Sequence, residues 1–134
     1  MSQTVLITGA SNGIGKACAR VFARKGYDLV LVARHREKLE AVKAELSEYD
    51  VHIKVVAMDL TGEDAAVDLY NNLVLDDISI DILVNNAGFG DHGAFHDSSW
   101  EKQKKMVLLN IMALMQMTYV FGQSMKRRKK GRIL

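Results

Sequence analysis

The chain has 134 residues, of which 49% are hydrophobic and 25% are charged. The net charge is +2, but six of the 18 basic residues lie at 126–132, which leaves 12 basic against 16 acidic residues elsewhere, a net charge of −4. The length and composition are typical of one soluble globular domain and exclude disordered, collagen-like and low-complexity chains. The charge distribution is not that of a dedicated nucleic-acid binder.

Short β-branched runs alternate with helical patterns along the chain. The apolar spacing predicts strands at 5–8, 27–33, 51–58 and 80–84, separated by helices at 14–25, 35–49 and 61–77. Thr61, with Asp64 three residues later, is expected to cap the third helix. A loop rich in glycine and aspartate then spans 85–97.

A long helix is predicted after this loop. Ser98 or Ser99 is expected to cap it, Lys130 to lie near its end, and Gly131 to terminate it. Residues 132–134 have the pattern of an opening fifth strand. The alternation of strands and helices predicts an α/β fold with a Rossmann-type doubly wound parallel sheet, in the strand order 3-2-1-4-5 and interrupted in strand 5. Residues 1–134 are expected to form one partial nucleotide-binding domain.

The turn between the first strand and the first helix has the spacing of a dinucleotide-binding loop. Gly9 permits a tight turn off the strand, Gly13 lets the backbone approach a pyrophosphate, and Gly15 allows close packing of the helix on the sheet. Free N–H groups at the start of the helix then face the anion. An ordinary glycine-rich turn is the less favoured interpretation.

The residues after the second strand indicate which cofactor is preferred. A carboxylate at this point favours NAD, whereas this chain has Arg34 and no acidic residue before Glu37. A guanidinium suits a 2′-phosphate, so NADP(H) is favoured over NAD(H). The alternative is that Arg34 is a solvated surface charge.

Further motifs resemble those of a known family. The glycine loop is followed by Asp59-Leu60 after the third strand, by Asn85-Asn86-Ala87-Gly88 after the fourth, and by Asn110 in the long helix. Together they resemble the short-chain dehydrogenase/reductase family, and most of all its classical NADP-preferring branch in the DltE-like group. The match runs along the whole chain, which would correspond to the N-terminal half of a family domain.

The resemblance implies cofactor-binding roles for residues from three loops. The residues concerned are Ser11, Asn12 and Ile14 at the phosphates, Asp59 and Leu60 at the adenine, and Asn86, Ala87 and Gly88 at the ribose. It also implies that Asn110 is the family's catalytic asparagine, which holds a water in a proton relay. Without the resemblance, Asn110 has two interpretations. It is a buried polar group in an apolar helix that needs hydrogen-bond partners, or its side chain bonds to its own helix at a kink.

The family's proton-transfer residues are not found in this sequence. The family uses a Tyr-x-x-x-Lys pair and an upstream serine, and none of the four tyrosines, Tyr27, Tyr49, Tyr70 and Tyr119, is followed by lysine four residues later. The resemblance therefore implies an NADP(H)-dependent oxidoreductase that acts on a carbonyl or alcohol substrate, whereas these 134 residues alone are expected to be inactive. The alternatives are a non-catalytic nucleotide-binding module and, less favoured, a nucleic-acid binder that uses the basic end.

Weaker signals concern location, metals and assembly. A single cysteine, Cys18, and the lack of a targeting pattern favour the cytoplasm. The uncharged stretch 106–125 is interpreted as a buried helix of a soluble fold rather than a membrane span. Its methionines are interpreted as part of the core or of an oligomer interface. A homo-oligomer that forms through helix 99–130 is therefore expected. A metal site at His92 and His96 is not favoured, because no third ligand is near in sequence. The fifth strand is expected not to complete its pairing, which would leave the fourth strand as a nearly bare apolar edge.

Overall fold

The computed structural model describes residues 2–134 as a five-stranded parallel sheet with helices on both faces. The strands are β1 (Thr4–Thr8), β2 (Asp28–Ala33), β3 (Ile53–Ala57), β4 (Ile82–Val84) and β5 (Arg132–Ile133), in the order β3-β2-β1-β4-β5. The helices are α1 (Gly13–Arg24), α2 (Arg36–Glu45), α3 (Ala65–Leu75), α4 (Trp100–Val107) and α5 (Leu114–Arg128). The predicted fold class and strand order are confirmed.

Alternate residues of the central strands supply two separate cores. Ile7 and Leu31 face α1 and α2, whereas Leu6 and Val30 face α3 and α5, and all four are fully buried or nearly so. Burial on both sides explains why these strands are continuously apolar in the sequence. Because β1 lies between β2 and β4, the chain winds away from it in both directions, and a crevice forms at the carboxyl ends of β1 and β4.

The predicted cap of α3 is wrong. The helix begins at Ala65 after Asp64, and the hydroxyl of Thr61 instead donates to Oδ1 of Asp59 at 2.7 Å. A local bond to the end of β3 therefore competes successfully with the capping position.

The long helix is continuous from Trp100 to Arg128 but contains a π-helical segment, Leu108–Ala113, between α4 and α5. Ser99 is its cap, since its Oγ accepts from the N–H of Lys102. The residue that ends the helix is Lys129, in the left-handed conformation at φ 54°, and not Gly131.

The interpretation of 106–125 as a buried helix is only partly correct. Met117, Phe121 and Met125 pack into the core, but Met112 and Met115 are more than half exposed. Only 17% of the most apolar 18-residue window is buried, and by length and composition this one helix could cross a membrane.

The expectation of a bare β4 edge is wrong. Ile82 pairs with Arg132 and Leu83 with Ile133, so β5 covers β4. Asp81 holds this corner together, because one carboxylate oxygen accepts from the N–H of Thr4 at 2.9 Å and the other pairs with Arg128 at 3.3 Å.

The basic end is thus partly engaged within the fold. Lys130 also pairs with Asp81, at 3.8 Å, and Arg127 donates to the hydroxyl of Tyr70 at 3.1 Å. Half of the six cations at 126–132 therefore have partners in this protein, which supports the interpretation of a cationic helix end.

Candidate nucleotide-binding site

The carboxyl ends of β1, β2, β3 and β4 surround a cavity of about 250 Å³. Eight residues predicted from the sequence line it: Gly9, Ser11, Asn12, Arg34, Asp59, Leu60, Ala87 and Gly88. They come from four separate loops, and the parallel sheet brings them together because all its strands end at the same edge.

Four other predicted cofactor residues support the cavity or flank it without lining it. Gly13 has a positive φ of 54° with open space around it, and Ile14 is 74% exposed next to it. Gly15 is buried against the first turn, where an added Cβ would lie 2.2 Å from the carbonyl oxygen of Gly9. The predicted packing role of Gly15 therefore has a clear steric basis.

Asn86 ties the loop after β4 to the glycine loop. Its side-chain amide donates to the carbonyl oxygen of Gly9 at 3.1 Å, and its backbone N–H donates to the hydroxyl of Thr8 at 2.9 Å. The same hydroxyl also accepts from the N–H of Ala87 at 2.9 Å. Thr8 is 2% exposed, so one buried hydroxyl fixes the two loops relative to each other.

Asn110 lies in the π-helical segment, close to the same edge of the sheet. Its Oδ1 accepts from the N–H of Phe89 at 3.0 Å, and its Nδ2 donates to the carbonyl oxygen of Phe89 at 2.8 Å. The expectation that Asn110 is buried is wrong, since the residue is exposed, but it has the partners that a polar group in an apolar helix needs. The side chain does not bond to its own helix, so the alternative of a self-satisfied residue does not hold.

The electrostatic balance of the cavity depends on one acid and two cations. The N–H and hydroxyl of Thr61 both donate to Asp59, and these bonds, helped by the nearby charges of Arg34 and Lys105, hold the pKa of the Asp59 carboxyl below its ordinary value of 3.8. Asp59 is therefore ionised at neutral pH. Arg34 and Lys38 supply positive charge to the same cavity.

Several residues of the cavity were missed by the sequence analysis. They are His35, Lys38, Met58, Phe89 and Leu109, together with the last two residues of β2, Val32 and Ala33. A Lys four residues after Arg34 was a usable signal for Lys38, but the apolar residues carry no local signature.

The larger groove of about 790 Å³ lies elsewhere, along the exposed flank of the long helix. Its lining is mostly apolar, with Met112, Met115 and Tyr119 on one side and the turn 60–63 on the other. His92 and His96 are exposed on the loop between β4 and α4, and within residues 2–134 no group of three potential metal ligands is found.

Comparison with known proteins identifies the family. The model of the short-chain dehydrogenase family matches residues 3–134, almost the whole chain. The chain belongs to the short-chain dehydrogenase family. Its fold and its sheet order match those of similar solved short-chain oxidoreductases.

Curated short-chain dehydrogenases match with moderate identity. A very-long-chain 3-oxoacyl-CoA reductase of Phaeosphaeria nodorum is 36% identical over 137 residues, which cover 96% of this chain and 39% of the relative. A 17-beta-hydroxysteroid dehydrogenase type 3 of Mus musculus is 37% identical over 142 residues, 100% of this chain and 44% of the relative. The chain thus spans about two fifths of the length of the curated relatives that it matches.

Solved structures of short-chain dehydrogenases superimpose closely. The enzyme from Sphingobium yanoikuyae in complex with NADPH is 38% identical with a TM-score of 0.89, over 98% of this chain and 52% of that one. A metagenomic short-chain oxidoreductase in complex with NADP is 33% identical with a TM-score of 0.93, over 99% of this chain and 61% of that one.

The expectation of a cytoplasmic protein is wrong. The curated relatives are very-long-chain 3-oxoacyl-CoA reductases and a 17-beta-hydroxysteroid dehydrogenase, which are membrane-associated enzymes, and this chain has a helix that is long and apolar enough to cross a membrane. The single cysteine and the lack of a targeting pattern carried no information on this point.

Proposed function

We propose that residues 1–134 form the NADP(H)-binding part of a short-chain oxidoreductase that interconverts a carbonyl and an alcohol. The observation that carries this proposal is the cavity at the carboxyl ends of β1–β4, where the glycine loop, the Arg34 guanidinium and the Asp59 carboxylate meet. The complexes of two similar structures with NADPH and NADP support the choice of cofactor.

The residues of the cavity fit the adenosine end of the cofactor. Small-molecule sites usually have volumes of about 300–1,000 Å³, so a cavity of about 250 Å³ suits one end of a dinucleotide rather than the whole. In this proposal Gly9, Ser11 and Asn12 bind the phosphates through backbone N–H groups at the start of α1. Asp59 and Leu60 contact the adenine, and Arg34 binds the 2′-phosphate.

The ribose and the reacting end lie beside the loop after β4. Ala87 and Gly88 border the ribose, and Asn86 holds their loop against Gly9. The cofactor supplies the hydride when it is bound. Because both ends of the Asn110 amide are bonded to Phe89, we assign Asn110 a positioning role in the proton relay: it fixes loop 88–90 against the π-helical segment.

The proton donor of the reaction lies outside the residues that we assign. None of the four tyrosines has a lysine four residues later, so the family's pairing of a phenol with a lysine, which would lower the pKa of the phenol, does not occur in this sequence. We therefore propose that these residues bind NADP(H) but do not reduce a ketone by themselves. The names of the relatives, a 3-oxoacyl-CoA reductase and a hydroxysteroid dehydrogenase, support carbonyl–alcohol chemistry in the whole protein.

Titration of the 134-residue chain with NADPH, followed by backbone amide NMR, tests the proposal. We expect saturable shifts at 9–15, 34–38, 59–60 and 86–89, with residues 112–119 of the larger groove unchanged. NADPH consumption with a panel of aldehydes and ketones is expected to stay at the background rate. Shifts confined to the larger groove would refute the assigned site, and turnover by the isolated chain would refute its predicted inactivity.

We further propose that the exposed face of the long helix mediates homo-oligomerisation. Ile111, Met112, Met115 and Tyr119 are each more than half exposed, and exposed apolar patches of this kind mark interfaces. Sedimentation of the chain should give an oligomer that Met115→Lys dissociates, and a monomer at all concentrations would exclude this role.

A further inference from the structure

The single positive charge of Arg34 does not neutralise a 2′-phosphate bound in this cavity. A phosphate monoester carries about −1.5 to −2 charges at neutral pH. The ionised Asp59 lines the same cavity and offsets the single charge of Arg34. With these two residues only, the cavity would present no net positive charge to a group that is close to a dianion.

Lys38 is the remaining cation at this cavity. It is the third residue of α2, and it lines the cavity together with Arg34 and His35. With Arg34 and Asp59, its charge gives a sum of +1 for these three residues. A lysine ammonium is a mobile point charge, which suits the outer side of a phosphate that a planar guanidinium binds from the other side.

Three other charged residues of α2, Arg36, Glu40 and Glu45, form ion pairs away from the cavity. Arg36 pairs with Glu40 at 3.8 Å, and Glu45 pairs with Lys16 of α1 at 3.1 Å. Within residues 2–134, neither Arg34 nor Lys38 forms an ion pair with a carboxylate. Both cations of the cavity are therefore available to a ligand.

We infer that Lys38 is a second determinant of cofactor specificity, which together with Arg34 encloses the 2′-phosphate of NADP(H). This inference rests on the proposed function, since it assigns a residue to the proposed cofactor site. It predicts that the preference for NADPH over NADH depends on the charge at position 38 and not only on the guanidinium at position 34.

The experiment compares Lys38→Gln with Lys43→Gln, a change of the same kind in the last turn of the same helix and away from the cavity. Calorimetric titrations measure the dissociation constants of NADPH and NADH, and of 2′,5′-ADP and 5′-AMP as fragments that differ by the phosphate. Lys38→Gln should weaken the binding of NADPH and 2′,5′-ADP by about 5- to 10-fold, as for a partly exposed charge-assisted contact, and change NADH and 5′-AMP less than about 2-fold. Lys38→Arg should restore the preference, and Lys43→Gln should leave all four constants unchanged.

The outcomes separate this inference from the proposed function. If the unaltered chain prefers NADPH and Lys38→Gln weakens both cofactors equally, or neither, Lys38 has no role in specificity and the proposed site stands. If the unaltered chain binds neither nucleotide, the proposed function fails and this inference fails with it. A shallower salt dependence of NADPH binding in Lys38→Gln than in Lys43→Gln would support a direct charge contact.

Discussion

Gly88 and Asn110 lie so close that a Cβ added to Gly88 would stand 2.9 Å from Oδ1 of Asn110. That oxygen accepts the N–H of Phe89, so the lack of a side chain at Gly88 is what lets Asn110 bond to the loop. The relationship joins the end of β4 to the π-helical segment of the long helix. Two motifs that are separate in the sequence therefore form one structural unit.

We expect Gly88→Ala to destabilise the protein. The added methyl would push Asn110 away from Phe89 and weaken two hydrogen bonds, at a cost of about 1–2 kcal/mol in the free energy of unfolding. Gly90→Ala is the matched control, because nothing lies within 4 Å of a Cβ there. Urea unfolding of both variants measures the difference, and equal stabilities would show that Asn110 does not depend on Gly88.

Thr8→Val should be strongly destabilising although it preserves the shape of the side chain. The hydroxyl accepts from the N–H groups of both Asn86 and Ala87, and valine would leave these donors without a partner, at about 2–4 kcal/mol. Thr8→Ser keeps the hydroxyl and should cost about 1 kcal/mol or less, since only a methyl group is lost. Thermal or urea unfolding that ranks the two variants equally would contradict the role of the hydroxyl.

Arg34→Ala should reduce the preference for NADPH. The loss of a guanidinium–phosphate contact corresponds to about 1.5–3 kcal/mol, or roughly a 10- to 100-fold weaker affinity for NADPH, with little change for NADH. Calorimetry with both nucleotides measures the two affinities, and Arg36→Ala serves as a control because Arg36 pairs with Glu40. Equal losses for NADPH and NADH would remove Arg34 from the 2′-phosphate site.

Thr61→Val should raise the pKa of the Asp59 carboxyl toward 3.8, because it removes one of the two Thr61 bonds that lower it. A carboxyl whose pKa is depressed in the folded state contributes stability above its unfolded pKa, and that contribution is lost as the pH falls through the folded value. The variant should therefore lose less stability than the parent between neutral pH and the acid range. Carbon-13 NMR titration of Asp59 measures the pKa directly, and an unchanged value would show that the Thr61 hydroxyl has no effect on this carboxyl.

Lys129→Gly should stabilise the end of α5. Lys129 has a φ of 54°, in the left-handed region that costs a non-glycine residue about 1 kcal/mol, whereas glycine adopts it freely. The N–H of Lys130 still bonds to the carbonyl of Met125, so the helix terminus would keep its form. Lys126→Gly, inside the helix, should instead destabilise by about 1 kcal/mol. Urea unfolding of the two variants should show a higher free energy of unfolding for Lys129→Gly and a lower one for Lys126→Gly. Changes of the same sign would contradict the role of Lys129 as a strained helix terminus.

The fold class and the glycine loop followed from local signals, whereas the predicted strand order is that of the Rossmann type to which the chain was assigned. Alternating strand and helix patterns require a parallel sheet, and Gly9, Gly13 and Gly15 mark a turn whose geometry depends on residues adjacent in the chain. Gly9, Gly13, Gly15 and Arg34 were identified from the residues alone, whereas the other eight cofactor residues and Asn110 were identified from the short motifs of the family. Their roles in binding and in the proton relay stay predictions.

The tertiary structure decided what depends on residues far apart in sequence. Thr8 and Asn86 are 78 positions apart, and the register of β1 with β4 sets their contact. The same long-range packing directs Lys38 into the cavity, leaves one flank of the long helix exposed, and pairs β5 with β4. Periodicity and turn chemistry determine which elements form, because they act over a few residues. Only the docking of those elements determines which side chains meet, since that depends on the summed packing of the whole chain.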